Sequence, residues 1–295
     1  MDSDIAGFHF NSFFVGNELG NDGSLMGMGV FCHEFGHALG LPDFYCTNYN
    51  YGNDDAFSYW SIMDAGAYVN NSRAPIGYTA YERSYMGWLD IKEITEAQTV
   101  TLNPADSVNG TYAVMVRKPG TNKEYFLFEN RQPGTWYPNT DSEGHHFGSG
   151  LMMTHVTYDA NAWSSNNLNN VQTRKRALII TANKKKLSYT ASQDNLYGNG
   201  VDEITSLPLY SGGGLTTAPI YKIEKHDDAT ITFNFISEDG KSVPYTVGDK
   251  ETINGITYQY NNKRTWIVIP KAEGKYEAKW SYRRHSPRTT LPIPS

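Results

Sequence analysis

The sequence predicts an α+β fold: a helix-bearing N-terminal part followed by a β-rich, sandwich-like module. Three observations carry this. The stretch 24–39 places apolar residues at helical spacing. From about residue 93 the pattern changes to short segments of alternating apolar and polar residues, punctuated by Gly, Pro and Asn. The chain has 295 residues, 39% hydrophobic and 19% charged, which suffices for the core of one large or two ordinary domains. The expected division is 1–93, 94–236 and a terminal part, 237–295.

Taken in order, residues 7–16 read as a strand, with a Gly/Asn/Asp turn at 20–23. In the helix at 24–39, Met28, Phe31, Phe35 and Ala38 form one stripe, joined by Leu39. At ~100° per residue that stripe lies opposite His33 and His37, so one side is expected in a core and the other at a site. Gly40 ends the helix. A polar, Asn- and Tyr-rich loop covers 44–60, and Trp60-Ser61-Ile62-Met63-Asp64-Ala65-Gly66 reads as a turn. A second helix is predicted over 77–87. Strands are predicted at 98–102, 112–117, 124–130, 151–156, 177–181 and 230–236. Residues 237–244 read as a linker, 252–260 and 265–269 as a small hairpin, and the stretch from Lys279 on as a disordered tail.

Several function classes are disfavoured. A net charge of −6 argues against nucleic acid as the main partner, because phosphate binding needs a basic face. No apolar run approaches the ~18 residues of a membrane span. Met1 is followed by Asp-Ser-Asp rather than by the basic and apolar stretches of a signal peptide. Cys32 and Cys46 are too few for a disulfide scaffold and are expected to be free thiols. Ser211-Gly212-Gly213-Gly214 lacks the lysine of a phosphate loop. None of these features fixes an oligomeric state.

The chemistry concentrates in His33-Glu34-Phe35-Gly36-His37-Ala38-Leu39-Gly40-Leu41-Pro42-Asp43. Histidines four apart on a helix share one face and reach one metal ion. Glu34, roughly 100° round the helix from His33, is placed to act as a general base without occupying the metal. Asp43 follows the helix-ending Gly40 and has the spacing of a third ligand. Glu82 on the second helix is the alternative. Catalytic zinc takes three protein ligands and keeps one open position. Asp159, Asn161, Asn166 and Asn169 supply oxygens of the kind calcium takes, without EF-hand spacing. His155 at a strand end reads as a hydrogen-bonded strand residue or a contributor to the cleft, and His145-His146 as solvated.

The His33–Asp43 stretch resembles the metzincin zinc peptidases, and most closely the immune inhibitor A-like (M6) family, whose third ligand is an aspartate. Trp60-Ser61-Ile62-Met63 resembles the family's Met-turn, with Met63 as the floor beneath the metal. Tyr78-Thr79-Ala80-Tyr81 through Met86-Gly87-Trp88-Leu89 is similar to the helix and exit that follow it. Glu124 to Gln132 and Gly150 to Val156 are similar to later strands. The resemblance implies a partial metzincin-like catalytic domain, a zinc-dependent endopeptidase acting on extended polypeptides, a secreted or cell-surface bacterial origin, and structural calcium at unspecified positions. It assigns His33, His37 and Asp43 to the metal and Glu34 to the general base.

Three departures qualify it. Cys46 stands where relatives usually carry an aspartate. Ala65, two residues after Met63, is not the tyrosine that some branches use at the oxyanion, for which Tyr68 is a candidate substitute. Only residues 7–16 match the multistranded sheet expected before the helix, so the chain reads as N-terminally truncated. A different reading follows from that: a non-catalytic fragment whose β-rich module binds a surface partner, with the metal site unable to assemble.

Overall fold

The computed structural model describes residues 3–5, 7–10, 14–20, 23–51, 56–187, 189–240, 247–253, 255–261 and 266–269. A hairpin comes first, β1 (Ser3–Ile5) against β2 (Phe8–Phe10). Helices α1 (Met28–Ala38) and α2 (Ala80–Tyr85) follow, separated by loops and the 3-10 turns Tyr49–Tyr51, Ser58–Trp60 and Ala65–Tyr68. Next come β3 (Lys92–Glu93), β4 (Gln98–Leu102), β5 (Ala113–Arg117), β6 (Glu124–Arg131) and β7 (Gly150–Thr157). A short helix, α3 (Ala160–Ser164), precedes β8 (Ala177–Ile179), β9 (Leu207–Pro208), β10 (Gly214–Leu215), β11 (Ile220–Lys225) and β12 (Ile231–Phe235). The last elements are β13 (Lys250–Ile253), β14 (Ile256–Tyr260) and β15 (Trp266–Ile269). The fold is α+β, and each of the six strand segments predicted between 98 and 236 contains a strand.

The central sheet has the order β3-β5-β6-β7-β8, antiparallel except for the parallel pair β3 and β5. Its side chains alternate between two cores, as the period of two along a strand requires. Phe126, Phe128, Leu151 and Met153 point into one core with Val100, Ile231 and Phe233 from the antiparallel sheet β11-β12-β4. Leu127, Met152 and Val156 point into the other with Leu41, Phe44, Trp60 and Met63. Burial on both faces explains why β6 holds the run Tyr125-Phe126-Leu127-Phe128 and β7 the run Leu151-Met152-Met153 rather than a strict polar–apolar alternation. The second core draws on residues from both sides of position 93.

Three expectations are corrected. Among the described residues of 7–16, Phe8–Phe10 is extended and paired, Gly7 turns the chain at φ +83°, and 14–16 carry no strand. The larger correction concerns α1. Met28, Phe31 and Phe35 are 52%, 55% and 46% exposed, and Ala38 is exposed too, so the predicted core stripe faces away from the described core. The helix packs instead through Gly29 and Gly36, both buried, flanked by Cys32 and His33. A Cβ on Gly29 would collide with the Ala67 carbonyl, and one on Gly36 would press on the Met63 sulfur. Small residues therefore let the helix backbone lie directly on the Ala65–Tyr68 turn. The contact face adjoins the histidine face rather than opposing it. The terminal sheet β13-β14-β15 has one strand more than the predicted hairpin, and the tail from Lys279 lies outside the described residues.

This packing separates two substitutions that the helical stripe alone would rank the other way. Gly29→Ala should destabilise the fold by about 1–3 kcal/mol in urea unfolding, as overpacking does. Phe31→Ser should stay within about 0.5 kcal/mol of wild type.

Candidate metal centre

The site begins with how α1 ends. Leu41 N–H donates to Gly36 O at 3.0 Å and Gly40 N–H to His37 O at 2.9 Å, with Gly40 at φ +92°. This is a Schellman closure, which needs a left-handed residue after the helix, and glycine takes that conformation without a Cβ penalty. The turn reverses the chain and brings Asp43 back over the last turn of α1. Phe44 N–H then donates to Met63 O at 2.8 Å, tying the returning segment to the turn beneath the helix.

His33, His37 and Asp43 converge: each offers a ligand atom, and these atoms all lie within 4.8 Å of one another. Asp43 Oδ1 is 3.0 Å from His33 Nε2 and 3.2 Å from His37 Nε2. The opposite ring nitrogens are anchored, His33 Nδ1 to Ile62 O and His37 Nδ1 to Leu41 O, each at 2.8 Å. A carbonyl oxygen only accepts, so Nδ1 carries the proton and the Nε2 lone pairs point inward. Such carbonyl-anchored imidazoles are the usual outer support of metal-binding histidines. Without a cation, both Nε2 atoms would have to be protonated to face the carboxylate, placing two imidazolium charges 4.8 Å apart, ring to ring. One divalent cation bound by three lone pairs satisfies all three side chains at once, so the donor set fits a metal, and its N₂O composition suits zinc.

The electrostatics agree with strong mutual pull. Burial opposes ionisation of Asp43, but its contacts with His33, His37 and Asn166 outweigh that and hold its carboxyl well below the usual range. The hydrogen bond to Asp43 raises His37 against the effect of burial, and Glu34 adds a further coulombic pull on that ring. Glu34 is itself half-buried on α1, one residue from His33.

Met63 is fully buried beneath Gly36. Its N–H donates to Ser61 Oγ at 3.0 Å and Glu82 Oε1 at 3.2 Å. Glu82, the alternative third ligand, is thus used elsewhere. It is completely buried, accepts from Ser61 Oγ at 2.7 Å and closes a capping box with Thr79 at the start of α2. Glu129 on β6 accepts from Ala80 N–H at 2.9 Å, and its neighbour Arg131 donates to Trp60 O at 2.8 Å. A buried carboxylate and guanidinium from the central sheet therefore brace both α2 and the turn that carries Met63.

Three of the four side chains expected to supply calcium oxygens have protein partners. Asp159 caps α3 and pairs with Arg176 at 3.0 Å. Asn169 donates to Phe44 O and Ala177 O. Asn166 pairs with Asp43. Among the described residues a second group, Asp141, Glu143 and His145, also brings ligand atoms within 4.8 Å. There His145 Nδ1 already pairs with Asp141 Oδ2, and its half-buried ring lies 4.1 Å from that of Tyr59 rather than free in solvent. Ala65 lies in the turn after Met63, and Tyr68 is exposed. Cys32 and Cys46 are free thiols.

Sequence reasoning missed Tyr45, whose ring lies over His33 at 6.4 Å and whose hydroxyl is pushed up by burial and then by the Asp43 charge. It also missed the role of 160–170, which grips the Asp43 loop from the far side of the chain. Tyr45 sits two residues past Asp43, in a bend with no strand or helix periodicity to flag it. The contact between 43–47 and 160–170 left no local signal.

Residues 20–89 match the family described as Immune inhibitor A peptidase M6, catalytic domain. A 60-residue stretch is 38% identical to pre-pro-metalloprotease PrtV of Vibrio cholerae serotype O1 (strain M66-2), covering 20% of this chain and 6% of that protein. A 75-residue stretch is 31% identical to immune inhibitor A of Bacillus thuringiensis subsp. alesti, covering 23% of this chain and 11% of that protein. The matches thus span a small part of the curated relatives' length. No solved structure matches.

His155 belongs to the sheet. Its Nε2 is 3.1 Å from Glu124 Oε1, and its ring stacks on Phe126 at 4.7 Å. Burial lowers its basicity, opposed by Glu124. A lowered folded value means that the unfolded chain binds the proton first. The contribution to stability is full above the ordinary value of about 6.5 and is lost as pH falls through it towards the folded value. Urea midpoints should therefore drop between pH 7.5 and 5.5, and the drop should be smaller in His155→Gln, which takes up no proton.

Proposed function

We propose that this chain, M6-like over residues 20–89, carries the metal centre of a zinc-dependent endopeptidase that hydrolyses extended polypeptides. One observation carries the reading: a single buried oxygen, Asp43 Oδ1, faces two Nε2 atoms whose rings are fixed by carbonyl hydrogen bonds. His33, His37 and Asp43 would hold the ion, which when bound supplies Lewis acidity and brings the pKa of a water towards ~7.

The remaining work falls to the chain's own side chains. The carbonyls of Ile62 and Leu41 keep both imidazoles in the tautomer that leaves Nε2 free. Glu34 takes the proton from the attacking water and passes it to the leaving amine. Met63 packs under Gly36 and fixes the depth of the helix. The partial metzincin-like character of the domain and a secreted or cell-surface location rest on the likeness to the M6 peptidases. No helix among the described residues is long and apolar enough to cross a membrane.

Two variants test the assignment together. His37→Ala should lose the ~1 equivalent of zinc expected for a three-ligand site. Glu34→Gln should keep the zinc and lose casein hydrolysis by roughly 10²–10⁴-fold, the usual worth of a positioned acid–base group. Wild-type protein that neither takes up zinc nor hydrolyses casein would favour instead the non-catalytic reading, in which the metal site does not assemble and the β-rich module binds a partner.

A further inference from the structure

We propose that Asn166 is a positioning residue that makes Asp43 a one-oxygen ligand, an inference that rests on the metal-centre reading above. The two carboxylate oxygens of Asp43 have different partners. Oδ1 faces His33 and His37. Oδ2 accepts from Asn166 Nδ2 at 2.7 Å. The same amide turns its own oxygen to the Asp43 backbone, whose N–H donates to Asn166 Oδ1 at 2.7 Å. One side chain thus holds Asp43 at two points and fixes both the rotation of its carboxylate and the position of its backbone.

The clamp is itself held. Asn166 sits at φ +50°, in the left-handed region, which asparagine tolerates better than most residues. It follows α3, and its N–H donates to Trp163 O at 3.2 Å. Trp163, buried, donates from Nε1 to Gly40 O at 2.8 Å, the residue that turns the chain towards Asp43. Thr47 Oγ1 donates to Asn166 O at 2.9 Å, and Asn170 Oδ1 accepts from Thr47 N–H at 2.8 Å. The ligand loop 40–47 is therefore clasped by 163–170 at several places, and only Asn166 touches the carboxylate. With Oδ2 drawn to the Asn166 amide and Oδ1 beside the two imidazoles, Oδ1 is the oxygen presented to a metal. Without that donor only the Tyr45 hydroxyl is left to restrain the carboxylate outside the two imidazoles, and it gains freedom to rotate and offer both oxygens.

The experiment uses the full chain loaded with Zn²⁺ or Co²⁺. Asn166→Gly removes the amide and suits the left-handed backbone, so the metal-free thermal midpoint serves as a check on folding. Asn166→Asp is a near-isosteric second variant that keeps the acceptor and loses the donor. Asn170→Ala loosens the same loop contact without touching Asp43. Competition titration should show the zinc dissociation constant raised about 10–100-fold in both Asn166 variants, the usual cost of losing an outer partner. In the Co²⁺ form their visible absorption should weaken as coordination number rises, while Asn170→Ala keeps the wild-type spectrum. Wild-type affinity and spectrum in both Asn166 variants would overturn the inference alone. Equal spectral change in Asn170→Ala would reduce Asn166 to a loop anchor and overturn it too. Wild-type protein that binds no metal would overturn the metal-centre reading and the inference with it.

Discussion

A carboxylate buried between two imidazoles is the constraint that orders this chain. Asp43 is 5% exposed, and its Oδ1 lies within hydrogen-bond distance of two Nε2 atoms. Burying an ionised group is costly unless partners compensate. The compensation comes from distant parts of the sequence: two turns of α1, an asparagine more than a hundred residues downstream, and carbonyls that orient the rings. Each partner needs its own support, and the supports reach into the central sheet through Glu129 and Arg131. The site and the fold are therefore one network rather than a site set on a finished scaffold.

The central sheet gives that network its rigidity. Because β6 and β7 are buried on both faces, they carry one core with β11, β12 and β4 and another with the 41–81 segment. The turn bearing Met63 is held by Glu82 from one side and by Arg131 from another. Above it, Gly29 and Gly36 bring the helix backbone close enough for His33 Nδ1 to reach Ile62 O. Larger residues there would lift the helix and break the anchor. The apolar stripe Met28, Phe31 and Phe35 takes no part in this contact. Phe31 meets Phe14 at 5.5 Å and Phe35 at 6.3 Å, yet all three stripe residues remain largely exposed.

Much of this was legible in the sequence, and the reasons are local. The spacing of His33 and His37, the helix-ending Gly40 and the return to Asp43 all express helix geometry and turn chemistry within eleven residues. The strands from 98 to 236 announced themselves as short apolar-rich segments, some alternating and some continuous, set between turn residues. The orientation of α1 was misread because helical periodicity locates an apolar face without saying whether that face is the one in contact. Close approach through Gly29 and Gly36 outweighed it. The role of Asn166 was invisible for a different reason: a hydrogen bond spanning 123 positions has no periodicity to betray it. In the sequence Asn166 stands only as one of four oxygen-bearing side chains, with Asp159, Asn161 and Asn169, of the kind calcium takes.

The most direct test of the account is crystallographic, with anomalous data collected on either side of the zinc absorption edge. The account predicts one zinc peak, lying between His33 Nε2, His37 Nε2 and Asp43 Oδ1, with Asn166 still on Asp43 Oδ2. A peak at Asp141, Glu143 and His145 alone, or no peak from zinc-saturated protein, would contradict it.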